Sequence, residues 1–184
     1  MLTGPVLLIL LGVVIVAMVV VALPIALRAL RGTVWYARGL RAYRREQYER
    51  ALAAWHRAVE IVPWHPSVHY NIAVVHARAG RLDDAIAEYE RAVELNPRLA
   101  KAYFNLGNAY LAKEEYRRAA RAYEAATRTP RGHARSHFNL GILYQQHLLD
   151  DRKALYHFTE YLRQGGTDQR VLNNIRQLQK RLAR

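Results

Sequence analysis

Three short motifs stand 34 residues apart: His69-Tyr70-Asn71-Ile72-Ala73, Tyr103-Phe104-Asn105-Leu106-Gly107 and His137-Phe138-Asn139-Leu140-Gly141. One more step back lands on Trp35-Tyr36-Ala37-Arg38-Gly39. A second motif keeps the same interval in Ala51-x3-Trp55-x2-Ala58, Ala85-x3-Tyr89-x2-Ala92 and Ala119-x3-Tyr123-x2-Ala126, and Ala154-x3-Phe158-x2-Tyr161 follows one residue late. Pro63 and Pro97 close the first two units, and Pro130 closes the third one residue early. Such a period constrains the fold more than any other feature of the chain. Each unit is one supersecondary element that cannot bury its apolar face alone, so the copies must stack.

Within each unit the apolar residues recur at helical spacing, which predicts two amphipathic helices of about 13–14 residues. Gly39, Ala73, Gly107 and Gly141 are small where the two helices of a unit must approach. Ala51, Ala85 and Ala119 do the same on the second helix, and the aromatics fill the space that is left. Gly80, Pro63, Asn96-Pro97 and Pro130 are stop signals between helices. After Gly165-Gly166, Thr167 or Asp168 can cap a last helix. Val171, Leu172, Ile175, Leu178 and Leu182 form the apolar stripe of that helix, as a solenoid cap requires. The expectation is an all-α chain of eight repeat helices, one cap and one membrane helix, without strands.

The period and the order of aromatic, Leu-Gly, Ala, aromatic, Ala and Pro resemble the tetratricopeptide repeat family, and membrane-anchored bacterial members in particular. The resemblance divides the chain into an anchor with basic juxtamembrane segment (1–31), four repeats (32–65, 66–99, 100–133 and 134–166) and a capping helix (167–184). Arg38 and Ala42 depart from the pattern in the first repeat. The fourth has an extra residue near Leu148–Asp151. The resemblance implies a right-handed superhelix whose concave groove is lined by the first helix of each unit. Asn71, Asn105 and Asn139 would then form an amide ladder able to clasp a peptide backbone, since an amide both donates and accepts. Tyr70, Phe104 and Phe138 would add aromatic contact, and Lys101, Asn108 and Arg135 polar contact. The same asparagines could instead bond only within the solenoid. The family's clamp for a peptide carboxylate is matched only in part: Asn71 and Lys101 fit, but Tyr36, Leu40 and Asn105 replace the other members.

Residues 2–27 carry no charge, and the first charged side chain is Arg28. As a helix this stretch would span roughly 39 Å, more than the ~30 Å hydrocarbon core of a bilayer. A cleaved signal peptide needs a basic n-region and a shorter apolar run; MLTGP has no basic side chain, and no A-x-A precedes Arg28. The segment therefore reads as an uncleaved single-pass anchor, with Pro24 a candidate kink. Arg28, Arg31, Arg38, Arg41, Arg44 and Arg45 follow it, with no acid before Glu46. The positive-inside rule puts this side in the cytoplasm and the N-terminus outside, as for an inner-membrane protein. These arginines could also contact anionic lipid, at about 1 kcal/mol per charge near the surface.

The chain has 184 residues, 28 Lys+Arg, 15 Asp+Glu and no cysteine. Lack of cysteine excludes disulfides, zinc-thiolate sites, iron–sulfur clusters and a thiol nucleophile. The net charge of +13 is spread over all units and mixed with acids, which argues against a nucleic-acid partner. No phosphate loop, H-E-x-x-H or G-x-S-x-G occurs, and Ser67 and Ser136 are the sole serines. His65, His69 and His76 invite a metal, yet His69 and His76 hold positions normally packed by aromatics, with no carboxylate expected on their face. His133, His137, His147 and His157 read the same way. Acid pairs Asp83-Asp84, Glu114-Glu115 and Asp150-Asp151 sit at inter-helix turns, where those at a helix start suit its dipole.

The expectation is a non-enzymatic, membrane-tethered scaffold without cofactor, metal or small-molecule substrate, binding protein partners as an adaptor, assembly factor or accessory subunit. The alternatives are a periplasmic-side chaperone at the translocon and a structural subunit packing through its membrane helix. For the latter, the Gly12-x3-Val16 face offers no strong pairing motif. A likeness to lipopolysaccharide assembly proteins lacks their cysteine-ligated module. Ala- and Arg-rich usage hints at a GC-rich bacterial genome.

Overall fold

The computed structural model describes residues 4–129 and 134–184, with the side chains of all of these but residues 6–8. Pro130 and His133 therefore lie outside the described residues. The elements are α1 (Gly4–Ala17), a π-helical turn (Met18–Ala22), α2 (Leu23–Arg44), α3 (Tyr48–Ile61), α4 (Pro66–Arg78), α5 (Leu82–Leu95), α6 (Ala100–Ala112), α7 (Tyr116–Thr127), α8 (Ala134–Gln146), α9 (Asp151–Arg163) and α10 (Gln169–Leu182). Among the described residues there is no strand.

The helical backbone is unbroken from Gly4 to Arg44. This changes the expected count: the membrane-length segment and the first helix of the first repeat are one helix. Pro24 does not end it. Proline lacks an N–H and crowds the carbonyl four residues earlier, and the chain absorbs this in the π turn just before it, where the Leu23 N–H donates to the Met18 carbonyl. Beyond Pro24 no breaker occurs before Arg44. Gly32, a plausible boundary by composition, instead serves packing.

Two compact units are present, Met1–Val68 and His69–Arg184. In the first, α3 turns back antiparallel along α2: the Trp55 indole donates to the Tyr36 carbonyl at 3.3 Å, and Arg28 Nε donates to the Ile61 carbonyl at 2.8 Å. Gly32 and Gly39 lie two turns apart on the buried face of α2. A Cβ on Gly39 would stand 2.2 Å from Trp55 Nε1, and one on Gly32 would stand 2.2 Å from Val62 Cγ2. Ala51, Trp55 and Ala58 complete this core.

In the second unit one apolar core runs from Ala73 to Leu178. Its large members Tyr89, Tyr123 and Phe158 are essentially inaccessible, and burial of each such ring contributes roughly 1.5–3 kcal/mol. Tyr123 packs on Gly107 and Phe158 on Gly141, ring against backbone. Ala85, Ala119 and Ala154 are fully buried. Asp168, rather than Thr167, caps α10 by accepting from the Arg170 N–H at 2.9 Å. Val171 and Leu178 are buried, Ile175 partly so, but Leu172 and Leu182 are exposed, so the stripe is narrower than the sequence suggested. Arg181 ties α10 to Asp151 at the start of α9 at 3.0 Å.

The period reappears in the backbone. Each turn within a helix pair holds one residue in the left-handed region: Glu46 (φ 59°), Gly80 (74°), Glu114 (59°) and Leu149 (53°). The first three are spaced by 34 and the last by 35, so the extra residue of the fourth unit is taken up before this turn closes. Only Gly80 adopts the conformation without Cβ strain.

Candidate functional site

The candidate groove residues sit on three helices. Tyr70 and Asn71 lie on α4; Lys101, Phe104, Asn105 and Asn108 on α6; Arg135, Phe138 and Asn139 on α8. Lys101, Asn108 and Arg135 are exposed and the other six half-buried. Contacts join them across helices. Asn105 Nδ2 donates to the Tyr70 hydroxyl at 3.2 Å, while Lys101 Nζ stands 4.3 Å over the Tyr70 ring. Asn139 Nδ2 donates to Asn108 Oδ1 at 3.3 Å, and the same oxygen accepts from the Tyr123 hydroxyl at 2.7 Å. Phe104 packs against Tyr123 and Phe138 against Tyr161, with Arg170 over the Phe138 ring at 6.0 Å.

The amides thus bond between neighbouring helices while staying partly accessible. Asn105 and Asn108 also line an open hollow of about 340 Å³ with Val74, Ala77, Arg78 and Tyr89. Its wall mixes apolar side chains with two amides and the Arg78 side chain.

A second set of contacts was missed by sequence reasoning. The Tyr110 hydroxyl donates to Glu90, and one period later the Tyr144 hydroxyl donates to Glu124 at 2.7 Å. Each pair is 20 residues apart, and both tyrosines and both glutamates repeat at 34, which is the signal that could have revealed it. Burial first, then the glutamate bond, pushes the Tyr110 hydroxyl up to about 12, and the same causes raise Tyr144. Burial takes Tyr123 up to about 12, against a smaller lowering by Asn139. All three hydroxyls stay protonated donors at neutral pH, so these bonds act as fixed links in the stack.

The histidines also differ from expectation. A carboxylate does reach His69 and His76, supplied by the antiparallel helix α5: His69 Nδ1 is 2.7 Å from Glu88 and His76 Nδ1 is 3.7 Å from Asp84. Among the described residues no group of three or more such side chains converges on one point. His147 stacks on Tyr116 with centroids 4.1 Å apart. His137 and His157 are buried with their Nδ1 atoms 3.0 Å apart.

The basic residues after the apolar segment all lie on α2 or at its end. Arg28 is held against α3 and stands 5.8 Å over the Trp64 ring. Arg38 lies over Trp35 at 4.6 Å. Arg31, Arg41, Arg44 and Arg45 are exposed.

Helix pairs of this geometry and period define a tetratricopeptide solenoid, and the comparisons agree. A family model described as TPR repeat matches residues 39–80 and 77–114, and one described as Tetratricopeptide repeat matches 104–168. The chain belongs to the tetratricopeptide repeat family, whose members mediate protein–protein interactions. It is similar to a solved structure titled "Crystal structure of MamA protein", with TM-score 0.72 and 19% identity over 82% of this chain and 81% of that one. It is similar also to pilF of Pseudomonas aeruginosa, with TM-score 0.68 and 23% identity over 85% and 71% of the two chains. MamA residues 41-end from Desulfovibrio magneticus RS-1 give 0.63 and 23% over 73% and 75%. At these identities the likeness is one of fold. No curated protein matches the chain.

Proposed function

We propose that the protein is a membrane-tethered, non-enzymatic interaction scaffold. It holds a segment of a protein partner on the faces of α4, α6 and α8 at the cytoplasmic surface of the membrane. The observation that carries the tether is the exposed apolar helix: every residue with a described side chain from Ile9 to Arg31 is exposed, in a helix long and apolar enough to cross a membrane. Apolar surface of that extent far exceeds what a water-soluble chain leaves uncovered. Arginines confined to its C-terminal flank support the cytoplasmic placement. The hollow beside Asn105 and Asn108 and the exposed cations Lys101 and Arg135 support a partner segment that offers backbone groups and acidic side chains.

Capture of partners from native membranes in mild detergent tests the groove. Replacing Asn71, Asn105 and Asn139 together by Ala removes amides worth about 0.5–1.5 kcal/mol per hydrogen bond, so a groove-held partner should weaken by about tenfold or more. Because two of these amides also bond neighbouring helices, a second variant, Lys101→Glu with Arg135→Glu, alters only exposed side chains and should lose the same partner. A partner retained at full strength by both variants would remove the groove from the account.

A further inference from the structure

The corner between α3 and α4 reads Val62-Pro63-Trp64-His65-Pro66. Two prolines stiffen it, and Trp64 points outward at 59% exposure while Trp55, on the same helix pair, is buried. A single exposed apolar side chain is ordinary by itself, so Trp64 carries an argument only with a second observation. Its position supplies one. α3 folds back along α2 so far that Ile61 meets Arg28 and Val62 meets Gly32. Arg28 is the first charged residue after the apolar run, and its guanidinium stands 5.8 Å over the Trp64 ring. Gly32 is only five residues past Leu27, about 8 Å along a helix. The corner is therefore carried back to the level at which the apolar segment ends.

We propose that Trp64, with Arg28 and Arg31, is a second membrane contact: the first repeat rests its α3–α4 corner in the lipid headgroup layer. This rests on the reading of α1 and α2 as a membrane span. Three facts favour lipid over other occupants. The corner is continuous with the apolar helix through the Val62–Gly32 packing. Tryptophan is the side chain enriched at the membrane–water interface, its ring amphipathic. Arg28 and Arg31 carry charge complementary to anionic headgroups.

The same geometry sorts the six arginines. The headgroup layer adds about 5–8 Å on each side of the hydrocarbon. Arg28 and Arg31 lie within about 6 Å of Leu27 along the helix, but Arg38 and Arg44 lie about 16 and 26 Å beyond it. A typical tilt of about 20° shortens those heights by less than a tenth. The outer arginines thus stand clear of the headgroups, past a Debye length of about 8–10 Å for Arg38 and further for Arg44. The consequence is a two-point seating, one through the inserted helix and one through the corner, which together would fix how the first repeat is turned above the bilayer.

The chain contains three tryptophans, so the contact is directly readable by fluorescence. The full chain bearing Trp35→Phe, leaving Trp64 and the buried Trp55, is reconstituted into 3:1 phosphatidylcholine–phosphatidylglycerol vesicles containing phosphatidylcholine brominated near the glycerol end of its acyl chains. Trp35→Phe/Trp64→Phe serves as reference, and flotation with alkaline extraction establishes insertion. The expected result is an inserted protein whose Trp64 emission, taken as the difference between the two variants, falls at least twofold with shallow bromines and less with bromines at the chain ends. An inserted protein whose Trp64 emission is unquenched and water-like would overturn the corner contact while leaving the tether standing. A protein that fails to float with the vesicles would overturn the tether, and the corner contact with it.

Discussion

Gly107→Leu lowers the stability of the solenoid by about 3 kcal/mol and its melting temperature by about 10 °C. The cause is one contact. A Cβ at residue 107 would stand 2.5 Å from Tyr123 Cε1 and 2.6 Å from Cδ1, far inside van der Waals distance. Relief would require Tyr123 to move, yet its ring is inaccessible and its hydroxyl is tied to Asn108. The remaining atoms of leucine have no room at all in a core packed to crystal density. Gly12→Leu is the matched control, since nothing lies within 4 Å of a Cβ at that site. Melting followed by circular dichroism in one detergent should separate the two variants. Equal curves for Gly107→Leu and the wild type would mean that α6 and α7 do not pack in this register.

Acidification destabilises the last repeat through His137 and His157. Their Nδ1 atoms are 3.0 Å apart, so one ring donates and the other accepts, and the two rings cannot both be protonated. Burial first, then the charge of His137, holds His157 down to about 4; burial likewise lowers His137. Glu124 and Glu160 act the other way on His157, and Lys153 adds to the lowering. Glu160 also opposes the shift at His137, where Arg163 adds to it. With folded values below the unfolded value near 6.5, the unfolded chain binds more protons in this window. Stability is therefore complete above about pH 6.5 and is lost as pH falls toward 4, by on the order of 3 kcal/mol for His157. Denaturant midpoints at intervals from pH 7.5 to 4.5 should show this slope. His157→Phe keeps a ring to stack on Tyr144 and should flatten the slope, whatever it does to absolute stability. A slope unchanged by that substitution would assign the pH dependence elsewhere.

Much of this architecture is readable in the residues, and the reason is periodicity. Copies at a fixed interval multiply a weak local signal, so Gly39, Gly107 and Gly141 could be assigned to close helix contacts before any coordinates. The extra residue near Leu149 was visible as a one-residue delay. What stayed hidden depends on partners distant in sequence. Glu88 reaches His69 from the antiparallel helix, 19 residues on, and no local pattern announces that meeting. The Tyr110–Glu90 and Tyr144–Glu124 links are periodic too, but hydrophobic patterning does not search for polar pairs. The unbroken helix from Gly4 to Arg44 was missed for another reason. The apolar run and the amphipathic repeat have different compositions, which suggests a boundary, but a helix ends at a cap or a breaker, and neither occurs between Arg28 and Arg44. The candidate groove residues were legible only as positions on helix faces. That Asn105 and Asn139 bond neighbouring helices while lining accessible surface depends on side-chain geometry.

Site-specific labelling tests the proposed tether and its proposed orientation in one experiment. The chain has no cysteine, and Leu149 sits 79% exposed in the turn between α8 and α9. A Leu149→Cys protein is treated with a membrane-impermeant maleimide in right-side-out and inside-out vesicles, followed by alkaline extraction. The expected result is a protein that stays with the membrane pellet and is labelled in inside-out vesicles alone. Labelling in right-side-out vesicles would place the repeats on the exported side, and release into the alkaline supernatant would contradict the tether itself.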